Sequence, residues 1–145
     1  MKKNTNKMSE KKVLTAIIEK ASDGGYGIYV PDIEFLFGYG LTEQEAKQDL
    51  METLEERLED YKDRQIEIPV ELNSGNIGFK YHYDFSGFFQ SFPFFNVSAL
   101  AKEAGLNSSL LRKYKEGLAI ASPAQKKRLE GVIHGIAERL RIAAF

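Results

Sequence analysis

The 145-residue sequence has no cysteine and no tryptophan. Disulfide scaffolds and cysteine-ligated zinc sites are therefore excluded. The absence is compatible with a reducing compartment without requiring one. Histidine is nearly absent too. His82 and His134 lie far apart in sequence, and neither belongs to a metal-ligand or Ser/His/Asp pattern. No stretch approaches the ~20 apolar residues that span a bilayer. The basic, polar start "MKKNTNKMSEKK" is followed only by the short "VLTAII", so no signal peptide is expected. No glycine-rich phosphate loop occurs; "SDGGYG" is turn chemistry between two apolar runs. These absences lead to the expectation of a cytoplasmic protein with no membrane partner, no metal and no cofactor. Residues 1–11 are expected to be a disordered basic N-terminus.

Hydrophobic residues make up 43% of the chain, enough for a packed core. The net charge of -1 conceals a split. Residues 1–95 carry 11 Lys and Arg against 17 Asp and Glu, or -6; residues 96–145 carry 9 against 4, or +5. Two modules with different partners are expected, with a polyanion facing the second.

The residue pattern separates the same two halves. Lys12–Lys20, rich in aliphatic and β-branched residues, predicts a strand; "SDGG" predicts a hairpin turn and "YGIYV" the returning strand. "EFLFGYG" predicts a third strand with Phe35, Phe37 and Tyr39 on one face. Thr42 predicts an N-cap, with Glu43 and Glu45 in the first turn. Ala46, Leu50, Leu54 and Leu58 then form one stripe of a helix running to about Tyr61. "IEIPVELNSGN" reads as a linker or short edge strand, since Pro69 forbids a central one. "IGFKYHYD" alternates as a fourth strand. The order β-β-β-α-β over residues 12–83 predicts a small sheet with a helix packed on it.

Residues 84–145 read as all-helical, which makes the fold class α+β. Asp84 caps a short aromatic helix that Pro93 ends. "NVSALAKEAG" and "NSSLLRKYKEG" predict two short helices joined at Gly105, with Asn107 as N-cap and Gly117 as the stop. Ser122-Pro123 opens a last helix with Leu129, Val132, Ile133, Ile136 and Leu140 on one stripe. Two helices about a tight glycine turn predict a helix-turn-helix. Ala101 is placed where the helices cross, with Leu111 and Tyr114 facing the core. Ser108, Ser109, Arg112 and Lys113 then face outward, where such a helix meets base edges in the major groove. Asn107 with the helix N-terminus suits a phosphate. Lys115, Lys126 and Lys127 add charge toward the DNA backbone. A helical hairpin with a merely basic face is the alternative.

"NVSALAKEAGLNSSLLRKYKEG" resembles the Cro/repressor type of helix-turn-helix. The preceding half resembles the HicB antitoxins, through Tyr29-Val30-Pro31-Asp32 and through Gly40-Leu41-Thr42-Glu43-Gln44-Glu45-Ala46. The order of modules, and the junction "FKYHYDFSGFF", resemble HicB proteins that carry a repressor-like domain. The resemblance implies a partial ribonuclease-H-like domain over residues 12–83 and a helix-turn-helix domain over 84–145. It implies an antitoxin that binds a HicA-type toxin, a small messenger-RNA-cleaving ribonuclease. It further implies a homodimer or higher homo-oligomer that represses its own operon by binding double-stranded operator DNA. It assigns no toxin-binding residues. Ser108 stands where repressor helices usually carry glutamine, which leaves weaker base readout or more of it to Arg112 and Lys113.

Two other functions compete. One is a stand-alone dimeric repressor without a toxin partner. The other is a nuclease, since a ribonuclease-H fold invites one. Two-metal chemistry needs carboxylates converging from strand ends. The first strand has no central acid; Glu19 lies at its end, Asp23 in a turn and Asp32 after a proline. The expectation is that the protein is not an enzyme.

Overall fold

The structure, a computed structural model, describes residues 11–145; most of the basic N-terminus expected to be disordered lies outside the described residues. In strand β1 (Lys12–Lys20), Leu14, Ala16 and Ile18 are buried and the alternate residues are not. That period of two is what one covered sheet face imposes. Asp23 shapes the following turn by accepting from the Gly25 N–H at 3.1 Å, and Gly24 takes φ 92°, where a side chain is disfavoured. Strand β2 (Tyr26–Tyr29) returns antiparallel, with Ile17 opposite Tyr29. Strand β3 (Phe37–Gly40) pairs antiparallel with β2, Phe37 opposite Tyr29. With β4 (Ile77–Tyr83) the strands form a mixed four-stranded sheet in the order β3-β2-β1-β4. Five helices complete an α+β fold.

The third strand is shorter than its sequence predicts. It begins at Phe37, because Phe35 has φ 59° and sits in a turn closed by the Leu36 N–H on the Ile33 carbonyl at 3.3 Å. Within β3 the aromatics face out and the glycines face in. Helix α1 (Glu43–Asp63) explains why. A Cβ on Gly38 would lie 2.5 Å from the Ala46 oxygen and the Leu50 nitrogen; one on Gly40 would lie 2.5 Å from the Ala46 nitrogen. The helix backbone therefore rests directly on the strand backbone, and only glycine fits between them. A capping box starts α1, the Thr42 side chain accepting from the Glu45 N–H while Glu45 accepts from Thr42. Ala46, Leu50 and Leu54 face the sheet and are buried, while Leu58 is half-buried. The helix runs two residues past Tyr61. Residues 66–76 form turns and no strand, with Leu72 buried as their anchor.

The chain divides into two compact units, Met1–His82 and Tyr83–Phe145. In the second, Asp84 caps α2 (Phe85–Ser91) by accepting from the Gly87 N–H at 2.9 Å. Helices α3 (Val97–Ala104), α4 (Ser108–Lys115) and α5 (Pro123–Ile142) follow. Their core joins Phe85, Phe89, Leu100, Ala101, Leu111 and Leu129. The Phe85 and Tyr114 rings meet edge-on at 5.5 Å, a favoured aromatic geometry.

Candidate nucleic-acid interface

Helix α3 ends because Gly105 adopts φ 64°, which turns the chain out of the helix. The Leu106 N–H then closes on the Ala101 carbonyl at 2.8 Å, and the Gly105 N–H on the Lys102 carbonyl at 3.2 Å, so the last carbonyls of α3 are satisfied. Two residues later Asn107 caps α4, its side-chain oxygen accepting from the Leu110 N–H at 3.0 Å. The oxygen of Asn107 is thus committed to the helix start. Ala101 is fully buried at the crossing, and Leu111 and Tyr114 point into the core.

These three contacts fix the outward face of α4. At about 100° per residue, Ser109, Arg112 and Lys113 fall on the arc opposite Leu111 and Tyr114, and all three are exposed. Ser108 and Lys115 lie on one flank and are half-buried. Arg112 does not stand alone, since its guanidinium donates to the Ser98 hydroxyl on α3. The first turn of α3 and the middle of α4 therefore meet at one exposed point.

Helix α5 is tied to the same motif at two places. Its own capping box places Gln125 over Ser122, and the Gln125 Oε1 also accepts from the Tyr114 hydroxyl at 2.7 Å. One turn on, Arg128 donates to the Gly105 carbonyl at 3.4 Å. Lys126 lies on a flank of the face defined by Gln125 and Leu129, half-buried. Lys127 falls on the opposite face of α5, exposed and apart from the Gln125 and Arg128 contacts. The structure therefore gathers Ser109, Arg112 and Lys113 on one surface, sets Ser108 and Lys115 at its margin, and separates Lys127 from Lys126.

Sequence reading passed over two features. Arg128 reaches the turn because it lies three residues after Gln125, a spacing that shares a helix face. Leu118 and Ile120 follow α4 with 77% and 83% of their surface exposed. Gly117, at φ 75°, turns the chain there, and the Leu118 N–H closes on the Lys113 carbonyl at 2.9 Å. Both apolar side chains project just past the basic end of the helix. Among the described residues, no three His, Cys, Asp or Glu side chains are grouped to hold a metal. No described helix is long and apolar enough to cross a membrane.

No protein-family model matches the chain, and comparison with curated proteins found no match.

Proposed function

We propose that the chain is an antitoxin-repressor of the HicA/HicB type. In this reading residues 84–145 are a Cro/repressor-type helix-turn-helix domain that binds operator DNA. Residues 12–83 are a partial ribonuclease-H-like domain that binds and neutralises a small ribonuclease. The observation that carries the DNA-binding half is the convergence of Ser109, Arg112 and Lys113 on the exposed arc of α4, directly after the left-handed Gly105. Such an arc suits the major groove, where arginine makes bidentate contacts to guanine. Charge supports the division of labour. Residues 1–82 hold 11 basic and 16 acidic side chains, or -5, and residues 83–145 hold 9 and 5, or +4. A basic toxin is drawn to the first field and a phosphate backbone to the second.

Helix α4 alone reads only a few base pairs, so the repressor acts as a homodimer or higher homo-oligomer on double-stranded operator DNA. The direct test is binding of the full chain to its own promoter fragment and to a scrambled fragment, across a salt series. Specific binding at physiological salt, with a steep salt dependence, is expected. Equal affinity for both fragments would remove the repressor reading. Co-expression with the gene next door tests the antitoxin half. Growth rescue from a small ribonuclease is expected; its absence, with DNA binding retained, favours the stand-alone repressor.

A further inference from the structure

Two non-glycine residues among those described have positive φ, Phe35 at 59° and Gln65 at 54°. Gln65 has an ordinary reason. It follows the C-cap of α1, where the Ile66 N–H reaches back to the Tyr61 carbonyl at 3.0 Å, and helix ends commonly take a left-handed residue there. Phe35 has none. It is the third residue of the Ile33–Leu36 turn, a position that glycine or asparagine fills when φ is positive. A bulky aromatic is poorly suited to that backbone.

The turn is held from outside. Arg57 of α1 donates to the Glu34 carbonyl at 2.8 Å and to the Phe35 carbonyl. The ring itself does little for the core, since 73% of the residue's surface is exposed. A strained backbone, clamped by a cation from another element, thus serves to display an aromatic side chain to solvent. Strain of this kind clusters at binding sites. Phe35 borders a hollow that Asp32, Glu34 and Glu71 also line, with the buried Leu72 among its walls. The hollow's own cation, Arg57, is engaged with the two carbonyls. Val70, next to Glu71, is as exposed as Phe35, and its carbonyl accepts from the Lys12 ammonium at 2.6 Å.

We propose that Phe35 anchors a protein-docking surface on the first unit, and that its partner is a basic protein. The partner supplies an apolar pocket for the ring and lysine or arginine side chains for Asp32, Glu34 and Glu71. An aromatic anchor within a charged rim is the arrangement in which the anchor holds affinity and the rim sets orientation and partner choice. The surface rests on the antitoxin reading only for the partner's being a ribonuclease.

The test places photoreactive benzoylphenylalanine at Phe35 of the full chain in the cells that make it, with the same group at Gln44, exposed at the start of α1, as control. Irradiation is followed by mass spectrometry of the adducts. The expected result is one protein rich in Lys and Arg joined at position 35 and not at 44. Its yield should fall at least tenfold when the chain also carries Glu34→Lys and Glu71→Lys. No adduct above the control, an adduct to a second copy, or an adduct to an acidic protein overturns the proposal. A basic partner without ribonuclease activity keeps the surface and removes the antitoxin reading. A ribonuclease that copurifies but is not joined at Phe35 does the reverse. Phe35→Gly, in the same full chain, should melt at or above the wild-type temperature; a fall of several degrees would make the ring structural and overturn the proposal.

Discussion

The hydroxyl of Tyr114 donates to the side-chain oxygen of Gln125 at 2.7 Å, and so joins the outward-facing helix α4 to the first turn of α5. The same oxygen takes the Ser122 N–H at 3.2 Å, so one glutamine both caps its own helix and fixes its neighbour. Tyr114→Phe removes the hydroxyl and keeps the ring against Phe85. The expected loss is about 1 kcal/mol, that of one hydrogen bond. Tyr114→Ala also empties the core and should lose ~3–5 kcal/mol. Urea unfolding midpoints of the two variants measure the difference; equal losses would mean that the ring contributes nothing.

Arg112 and Lys113 should separate by function. If Arg112 contacts a guanine, Arg112→Ala loses about 1–3 kcal/mol on operator DNA and little on a scrambled fragment. Lys113→Ala should weaken both fragments alike and lower the salt slope by about one, as loss of a phosphate contact does. Ser98→Ala, which frees the Arg112 guanidinium from α3, should produce a smaller loss in the same direction. Fluorescence anisotropy at several salt concentrations reads all three. An Arg112→Ala loss equal on both fragments would make Arg112 a backbone contact.

Glycine is used in opposite ways in the two units. At Gly38 an added methyl meets the backbone of α1 at 2.5 Å, whereas at Gly131, within α5, it meets nothing within 4 Å. Gly38→Ala should therefore destabilise the first unit by roughly 1–3 kcal/mol, the usual range for overpacking. Gly131→Ala should stabilise the second by up to about 1 kcal/mol, the helix-propensity difference. Thermal melts monitored by circular dichroism distinguish them. A neutral Gly38→Ala would mean that α1 does not press on β3.

This contrast also shows how far the sequence could be read. Caps and periodicity were legible because they are local: Thr42, Asp84, Asn107, Ser122 and the αL stop at Gly105 each act within four residues of themselves. The third strand starts later than its pattern suggests because Phe35, which continues the aromatic alternation, lies in a turn at φ 59°. Its buried face is Gly38 and Gly40, and their reason lies in α1, a separate element. The inward face of α4 followed from spacing; the Arg112–Ser98 and Arg128–Gly105 contacts did not, since each depends on how two helices meet.

The first unit carries a pH-sensitive tie. The Tyr39 hydroxyl donates to the Asp23 carboxylate at 2.7 Å, linking the β1–β2 turn to β3. That bond, with the Gly25 N–H, holds Asp23 below the ordinary carboxylate value of 3.8. The same bond raises Tyr39 above its ordinary 10.0. The lowered Asp23 contributes stability that is present above 3.8 and is lost as pH falls through its folded value. The raised Tyr39 contributes stability that is present below 10.0 and is lost as pH climbs through its folded value. Between the two windows the tie is constant. Tyr39→Phe should lower the melting temperature near neutrality and flatten the profile at both ends. The wild type minus variant difference isolates the tie from the exposed Glu138, which its hydrogen bond from Arg141 also holds low. An acid limb unchanged by Tyr39→Phe would assign the acid loss to other carboxylates.

Operator binding by a helix-turn-helix normally needs two copies placed ~34 Å apart to face successive major grooves. The apolar stripe of α5 divides into a part already used and a part left over. Leu129 is buried, and Val132, Ile133 and Ile136 pack on the core of their own unit. Leu140, Ile142 and Phe145, farther along, remain exposed. Leu140 also lines a groove with Phe95, Ala99, Ile136 and Ala143, to which Asn96 and the Glu103–Arg139 ion pair contribute polar walls. Three large exposed apolar side chains suit a second copy better than water, and a symmetric pair would bury both sets at once. Replacing Leu140, Ile142 and Phe145 together by serine removes at least ~3 kcal/mol of apolar burial from such a contact. The dimer dissociation constant should then rise at least about 100-fold. The fold should survive, because none of the three side chains is buried. Sedimentation at micromolar concentration should show a shift to monomer, and operator affinity should fall with it. A triple variant that still sediments as a dimer would move the contact elsewhere, most plainly to the outer face of the sheet, where Tyr29 and Phe37 lie opposite each other and exposed.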